Sequence, residues 1–227
     1  MNSKPESRPR LVIVGAGGHG LVVRDIVLRA GTHEVAGFLD SGKPPGLSQR
    51  GLEVLGPVEA VAEMAIKHAF TACLVAVGQN STRRFCVERI AADCPALSFP
   101  AVVHPSAVVA SGVVLGAGTV VMAGVVLNPG CIIGRHCIIN TGSRIDHETR
   151  LEDYASLAPG VVTGGNVFIG TGSAICLGAS VIHNVRIGSD VVVGAGALVL
   201  EDLPDLCVAY GSPARRIRAR VPADLYL

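Results

Sequence analysis

The chain has 227 residues, 49% of them hydrophobic and 16% charged, with a formal net charge of +1. A chain of this length makes one or two domains, and without a block of Lys or Arg nothing points to nucleic acid or an anionic membrane. The first ten residues are polar and carry no apolar run, so no signal peptide is expected; seven cysteines then read as reduced thiols in the cytoplasm.

Residues 1–9 read as a flexible N-terminus and 10–95 as an α/β domain. Arg10–Val14 is a buried-strand run, followed by the turn Gly15-Ala-Gly-Gly-His-Gly20. Leu21, Val22, Ile26 and Val27 supply a helical apolar face, and Val35–Leu39 is the next strand, ending at Asp40. Gly15, Gly17 and Gly20 form G-x-G-x-x-G between strand and helix, with an acid about twenty residues on, as a nucleotide-binding fingerprint requires. Backbone N–H groups at the helix start can hold a pyrophosphate, and Asp40 can accept from a ribose or base. The same residues also suit a tight turn that binds nothing and a solvated strand end.

A Gly/Pro-rich loop over 41–51 leads to a helix at about 57–68, a strand over Ala72–Val77, a second turn at Gly78-Gln-Asn80 and a helix at about 81–92. Arg83 and Arg84 open that helix and either reach a phosphate or lie on the surface. About ninety residues make three or four parallel strands, half of a full dinucleotide fold. That favours a mononucleotide handle, such as a nucleotide-sugar, over NAD. Residues 93–102 read as a linker.

From Val103 to Val199 an aliphatic side chain returns at every sixth position, and of these 17 positions only Thr163 departs. Two residues earlier sits a set of mostly small side chains, including Ala107, Thr119, Cys131, Cys137, Ser143 and Ala155. A spacing of two is that of one strand face, and a six-residue period marks a parallel β-helix. Three hexads make one triangular coil, and coils stack about 4.8 Å apart. Gly116, Asn128, Gly134, Asn140, Gly170, Gly188 and Gly194 are expected at corners that demand unusual φ. Cys94 to Gly134 contains no Asp, Glu, Lys or Arg and mimics a membrane span, but its glycines and its unbroken six-residue phase read as coils.

Charge returns at Arg144-Ile-Asp-His-Glu-Thr-Arg150. A carboxylate beside an imidazole orients the ring and supports its charge, so His147 and Glu148 are the candidate general base and its partner. The coil period stacks Gly165 on His147 about 5 Å away, where its N–H can serve a developing oxyanion. An ordinary exposed corner remains the plain alternative. His104, His136 and His183 have weaker claims. Cys131 and Cys137 face the interior without a closing pair, so no metal is expected. The tail at 204–227 carries Gly211-Ser-Pro-Ala-Arg-Arg-Ile-Arg218, which either meets a phosphate or is solvated.

Val12–Gly20, Gly37-Phe-Leu-Asp40, Val75–Gly78, Asn140-Thr-Gly-Ser143, Asp146-His-Glu148, Ala158-Pro-Gly160, Gly164-Gly-Asn166 and Gly211-Ser-Pro-Ala214 together carry a resemblance across nearly the whole chain. The sequence resembles bacterial sugar acyltransferases, both the N-acetyltransferases of nucleotide-linked 4-amino-sugars and the sialic acid O-acetyltransferases. The resemblance implies a Rossmann-like N-terminal domain and a left-handed parallel β-helix of hexapeptide repeats over 101–203, an exception to the usual crossover hand. It also implies acetyl-CoA as donor, no metal, and a homotrimer with active sites between subunits. By position His147 matches the base and Glu148 its acid, while Ser156, Gly165, Leu177 and Ala195 match coenzyme contacts. Gly15, Ala16, Gly17, Asp40 and Gly78 match the nucleotide-sugar site, which Asn140 joins. Family members often carry a second His where this chain has Ser156, so coenzyme contact there is expected to be altered. The expected reaction is acetyl transfer to the amine of a nucleotide-linked amino-sugar. O-acetylation of a sugar, an NAD-dependent oxidoreductase and an inert β-helix scaffold are the rivals.

Overall fold

The computed structural model describes residues 8–221, 224 and 225; most of the flexible N-terminus expected over 1–9 lies outside the described residues. The first domain runs β1 (Arg10–Val14), α1 (Gly18–Ala30), β2 (Glu34–Leu39), β3 (Ser48–Gln49), β4 (Leu52–Gly56), α2 (Val61–His68), β5 (Ala72–Val75) and α3 (Asn80–Asp93). Its sheet has the order β3-β4-β2-β1-β5, parallel except where the two-residue β3 pairs antiparallel with β4. The β3–β4 hairpin departs from the expected loop. Glycine and proline dominate 41–51 and hide the short strand behind them, yet Val54 and Leu55 of β4 are buried. Gly37 on β2 makes this possible, because a Cβ there would lie 2.4 Å from Leu55 Cγ. Along α1 the buried face is Val23, Ile26 and Val27, with Val22 turned to solvent.

Seventeen two-residue strands follow at six-residue intervals, from β6 (Val102–Val103) to β22 (Leu198–Val199). They build three parallel faces whose partners are always 18 residues apart, as in Ile138 with Ser156 and Arg144 with Val162. Both the sixth-residue aliphatics and the small residues two before them point inward: Leu127, Ile139, Leu157, Cys131, Cys137 and Ala155 are at most 1% exposed. The thiols of Cys131 and Cys137 donate to the Asp146 and Glu152 carbonyls inside this prism. The tail from residue 204 continues the structure: β23 (Cys207–Gly211) adds to one face and β24 (Ala214–Ala219) returns antiparallel beside it.

The corner glycines act differently from expectation. The left-handed residues lie two positions later, at Gly112, Gly118, Gly124, Gly130 and so on, with His136, Glu148, Tyr154, Asn166 and Asp190 in the same role. Gly116 and Gly170 are required for room instead. A Cβ on either would come within 2.5 Å of the next coil's backbone, so what limits these sites is the stacking distance of about 4.8 Å rather than φ.

The two domains share one core. Val102, Val120 and Ile138 on the outer surface of one prism face pack with Val23, Ile26, Val27 and Ile13 of the first domain. No helix among the described residues is long and apolar enough to cross a membrane.

Candidate active site

Below that shared core the same prism face is left open, and a cavity of about 610 Å³ lies between it, the Gly78 turn and the β23–β24 hairpin. Its floor is the outward column Ile138, Ser156, Ala174 and Val192, and Arg218 and Arg220 stand on the hairpin side. Gly78, Asn140, Ser156, Leu177 and Ala195 all line it. His19, which sequence reasoning passed over inside the glycine turn, lines it too. Its Nε2 is buried without a hydrogen-bond partner, and burial, then the nearby Arg83 charge, pushes its pKa down to about 4. The only available signal was a His among turn glycines, which by itself reads as a loop residue.

The glycine turn is closed by side chains from the segment just after β2. Asp40 accepts from the Ala16 N–H at 2.8 Å and from the Gly42 N–H at 2.9 Å, and Lys43 Nζ donates to the Ala16 carbonyl. Gly15 has φ +99°, and Gly20 leaves no room for a side chain, since a Cβ would lie 1.9 Å from the Gly15 carbonyl oxygen. Gly15, Ala16, Gly17 and Asp40 therefore sit together at one end of α1, but they do not line the cavity.

The imidazole lies elsewhere on the prism. His147 occupies the corner between Arg144–Ile145 and Arg150–Leu151, on the two faces that do not border the cavity. Asp146 shapes that corner: its Oδ1 accepts the His147 N–H at 2.8 Å and the Asn128 amide at 2.7 Å. The Asn128 contact, then that N–H, holds the Asp146 carboxyl below the usual range. Glu148 adopts φ +58°, and its Oε2 lies 3.3 Å from His147 Nδ1. Gly165 lies under the ring, where a Cβ would come within 2.5 Å of Cε1 and Nε2. His147, Glu148 and Gly165 are thus one cluster, and more than half of each of the first two side chains is exposed. Arg83 is not a surface cation: it is 1% exposed and points into the seam between domains. Arg84 pairs with Glu88 and lies over the Tyr154 ring.

Residues 10–90 match the PglD N-terminal domain model, and 112–147 match the bacterial transferase hexapeptide model. The structure superposes with a TM-score of 0.86 on a histidine-to-alanine variant of GDP-perosamine N-acetyltransferase from Caulobacter crescentus, solved with CoA and GDP-perosamine, at 37% identity over 96% of this chain and 100% of that one. The chain belongs to the bacterial sugar acyltransferases. This sugar acyltransferase also matches the acetyltransferase domain of PglB from Neisseria gonorrhoeae FA1090, solved with acetyl coenzyme A, at 32% identity and a TM-score of 0.84 over 93% of this chain and 100% of that one. Among curated relatives, the UDP-N-acetylbacillosamine N-acetyltransferase of Bacillus subtilis is 38% identical over 101 residues, 44% of this chain. The galactoside O-acetyltransferase of Escherichia coli is 38% identical over 78 residues, 34% of this chain. The acyltransferase spans 45% and 35% of the length of these two relatives. Its fold is accordingly the family's Rossmann-like domain joined to a left-handed parallel β-helix.

Proposed function

We propose that this acyltransferase moves an acetyl group from acetyl-CoA to the amine of a nucleotide-linked 4-amino-sugar, working in the cytoplasm as a homotrimer with His147 as general base. One observation carries the reading. The prism face of the cavity, with Ile138, Ser156, Ala174 and Val192, carries no imidazole, while the exposed His147–Glu148 pair stands on another corner of the prism, an arrangement that a second copy would complete. Leu177, 57% exposed on the cavity wall, and the exposed outward Val108, Val114 and Ile132 supply apolar surface for such an association.

The residues present fit an extended thioester carrier. The cavity floor of Ile138, Ala174 and Val192 suits an apolar arm, and Arg218, more than half exposed on the hairpin side, would supply positive charge for the coenzyme's phosphates. When bound, acetyl-CoA supplies an activated acyl carbon with a good leaving thiolate. The glycine turn with Ala16 and Gly17, together with Gly78 and Asn140, takes the nucleotide-sugar. Glu148 beside Nδ1 favours the ring form that carries its proton there, leaving Nε2 as the base. His147 then accepts the proton from the amine as the N–C bond forms and the C–S bond breaks, and returns it to the departing sulfur. Gly165, packed against the ring, would use its N–H to steady charge on the acyl oxygen, and Ser156 offers a hydroxyl from the cavity floor.

The direct test is thiol release from acetyl-CoA against UDP-, dTDP- and GDP-linked 4-amino-sugars, with the matching free amino-sugars and hydroxyl-bearing sugars alongside. Turnover should appear with a nucleotide-linked amine, from a particle of about three times the 23.3 kDa chain mass. A preference for free sugar hydroxyls would replace this reading with O-acetylation, and an active monomer would remove the shared site.

Gly165→Ala is a second expectation. Its backbone is not left-handed, so the fold tolerates the change, but the new methyl displaces the imidazole. Displacing a catalytic group by about 1 Å can cost about 10²-fold. Turnover should fall by about 10–100-fold while the melting temperature moves little. An unaltered kcat would show that the ring position is not critical.

A further inference from the structure

Among the described residues Arg83 is the largest fully buried side chain, and it sits where the two domains meet. Its Nε donates to the His136 carbonyl at 2.9 Å, and Nη2 donates to the Tyr154 carbonyl at 2.8 Å. Those two acceptors are 18 residues apart, on one corner of successive coils. The other guanidinium nitrogen turns the opposite way, donating to the Val77 carbonyl at 2.9 Å and the Gly78 carbonyl at 3.0 Å. Asn80 extends the same joint: its Oδ1 accepts from Arg83 Nη2 at 2.6 Å, and its Nδ2 donates to the Gly172 and Ser173 carbonyls of lower coils.

The Val77–Gly78 turn leaves the end of β5, and Gly78 forms one wall of the cavity. Glycine has no side chain with which to hold itself in place, so the turn's position depends on what grips its carbonyls. A planar guanidinium can serve acceptors on both sides at once, which a single ammonium cannot. Burying a charge costs stability unless its donors are satisfied. An apolar residue here would take that donor from the His136, Tyr154, Val77 and Gly78 carbonyls together, so the guanidinium is what ties the two sides of the seam.

We propose that Arg83 is a positioning residue for the nucleotide-sugar end of the cavity, clamping the Val77–Gly78 turn to the β-helix so that this wall is set before any ligand arrives. The proposal rests on the transferase reading for its kinetic consequence, though the clamp itself can be measured without it.

The test compares the full-length wild type with Arg83→Lys, which keeps the charge and loses the fork. Two readouts are used: steady-state kinetics with acetyl-CoA and the accepted nucleotide-sugar, and hydrogen exchange of the ligand-free protein. KM for the nucleotide-sugar should rise at least tenfold, with kcat and the acetyl-CoA KM within about threefold. Amides across the Val77–Gln79 turn should exchange at least tenfold faster, with the prism strands unaltered. Asn80→Ala, which removes one acceptor and leaves the guanidinium, should show the same pattern at smaller amplitude and decides the matter if Arg83→Lys is insoluble. Unchanged turn exchange, or a proportional loss of kcat and kcat/KM with faster exchange throughout the prism, would overturn the clamp. If wild type acetylates no nucleotide-sugar, the transferase reading fails, and the exchange comparison alone judges Arg83.

Discussion

His147→Ala is expected to lower acetyl transfer by about 10²–10⁴-fold, the range a positioned general base contributes. The side chain is 57% exposed, beside Glu148 and over Gly165, so its removal opens no buried hole. The melting temperature and particle size should therefore match wild type, because surface truncations of this kind usually lie within about 0.5 kcal/mol. The loss should fall on kcat, since the proton moves during the chemical step and substrate binding rests on the cavity and glycine turn. Measuring kcat and both KM values by thiol release separates these contributions. A variant retaining most of its kcat would remove His147 from the mechanism, and attention would pass to His19 on the cavity wall.

The second large effect is on stability. The His136 ring, 6% exposed, is held between Phe99 at 5.1 Å and Tyr154 at 5.3 Å in the seam between domains. Burial, then the Arg83 and Arg135 charges, pushes its pKa from 6.5 to about 4, with Asp153 opposing. His19 is pushed to about 4 by burial and then by Arg83. The unfolded chain accepts protons that these folded rings refuse. Stability from them is complete above about pH 6.5 and is lost as pH falls toward about 4. Each ring then costs about 2–3 kcal/mol on going from about pH 7.5 to about 4.5, because a tenfold difference in proton affinity between the folded and unfolded ring is worth about 1.4 kcal/mol. Denaturant midpoints across that range should show the decline. His136→Asn, which suits the left-handed φ of 54° at that corner, should remove about half of it. An identical pH slope in the variant would show that His136 does not contribute.

The β-helix was legible because its signal is repeated: one inward aliphatic in six, over 17 positions with a single departure, leaves little room for a competing period. The corners were less legible. Glycine satisfies both a left-handed φ and a close backbone approach, and sequence alone does not say which demand Gly116 or Gly118 meets. Within the site, residues stacked by the coil period were readable, so spacing alone pairs His147 with Gly165. Arg83 was not readable, because its partners are carbonyls of His136 and Tyr154 in another domain, and a carbonyl belongs to every residue type. His19 was hidden for a similar reason: only the arrival of the prism face turns that glycine turn into a cavity wall.

A stack whose partners sit always 18 residues apart has a reading frame of its own. Eighteen residues inserted after His147 would add one storey, keep every inward side chain inward, and carry Leu177 and Ala195 about 5 Å further from the imidazole's level. Six would turn everything downstream by one face, and a single residue would swap lining for exterior. Length change in this half of the gene is therefore quantised, whereas the glycine- and proline-rich stretch at 41–45, ahead of the β3–β4 hairpin, is under no such frame.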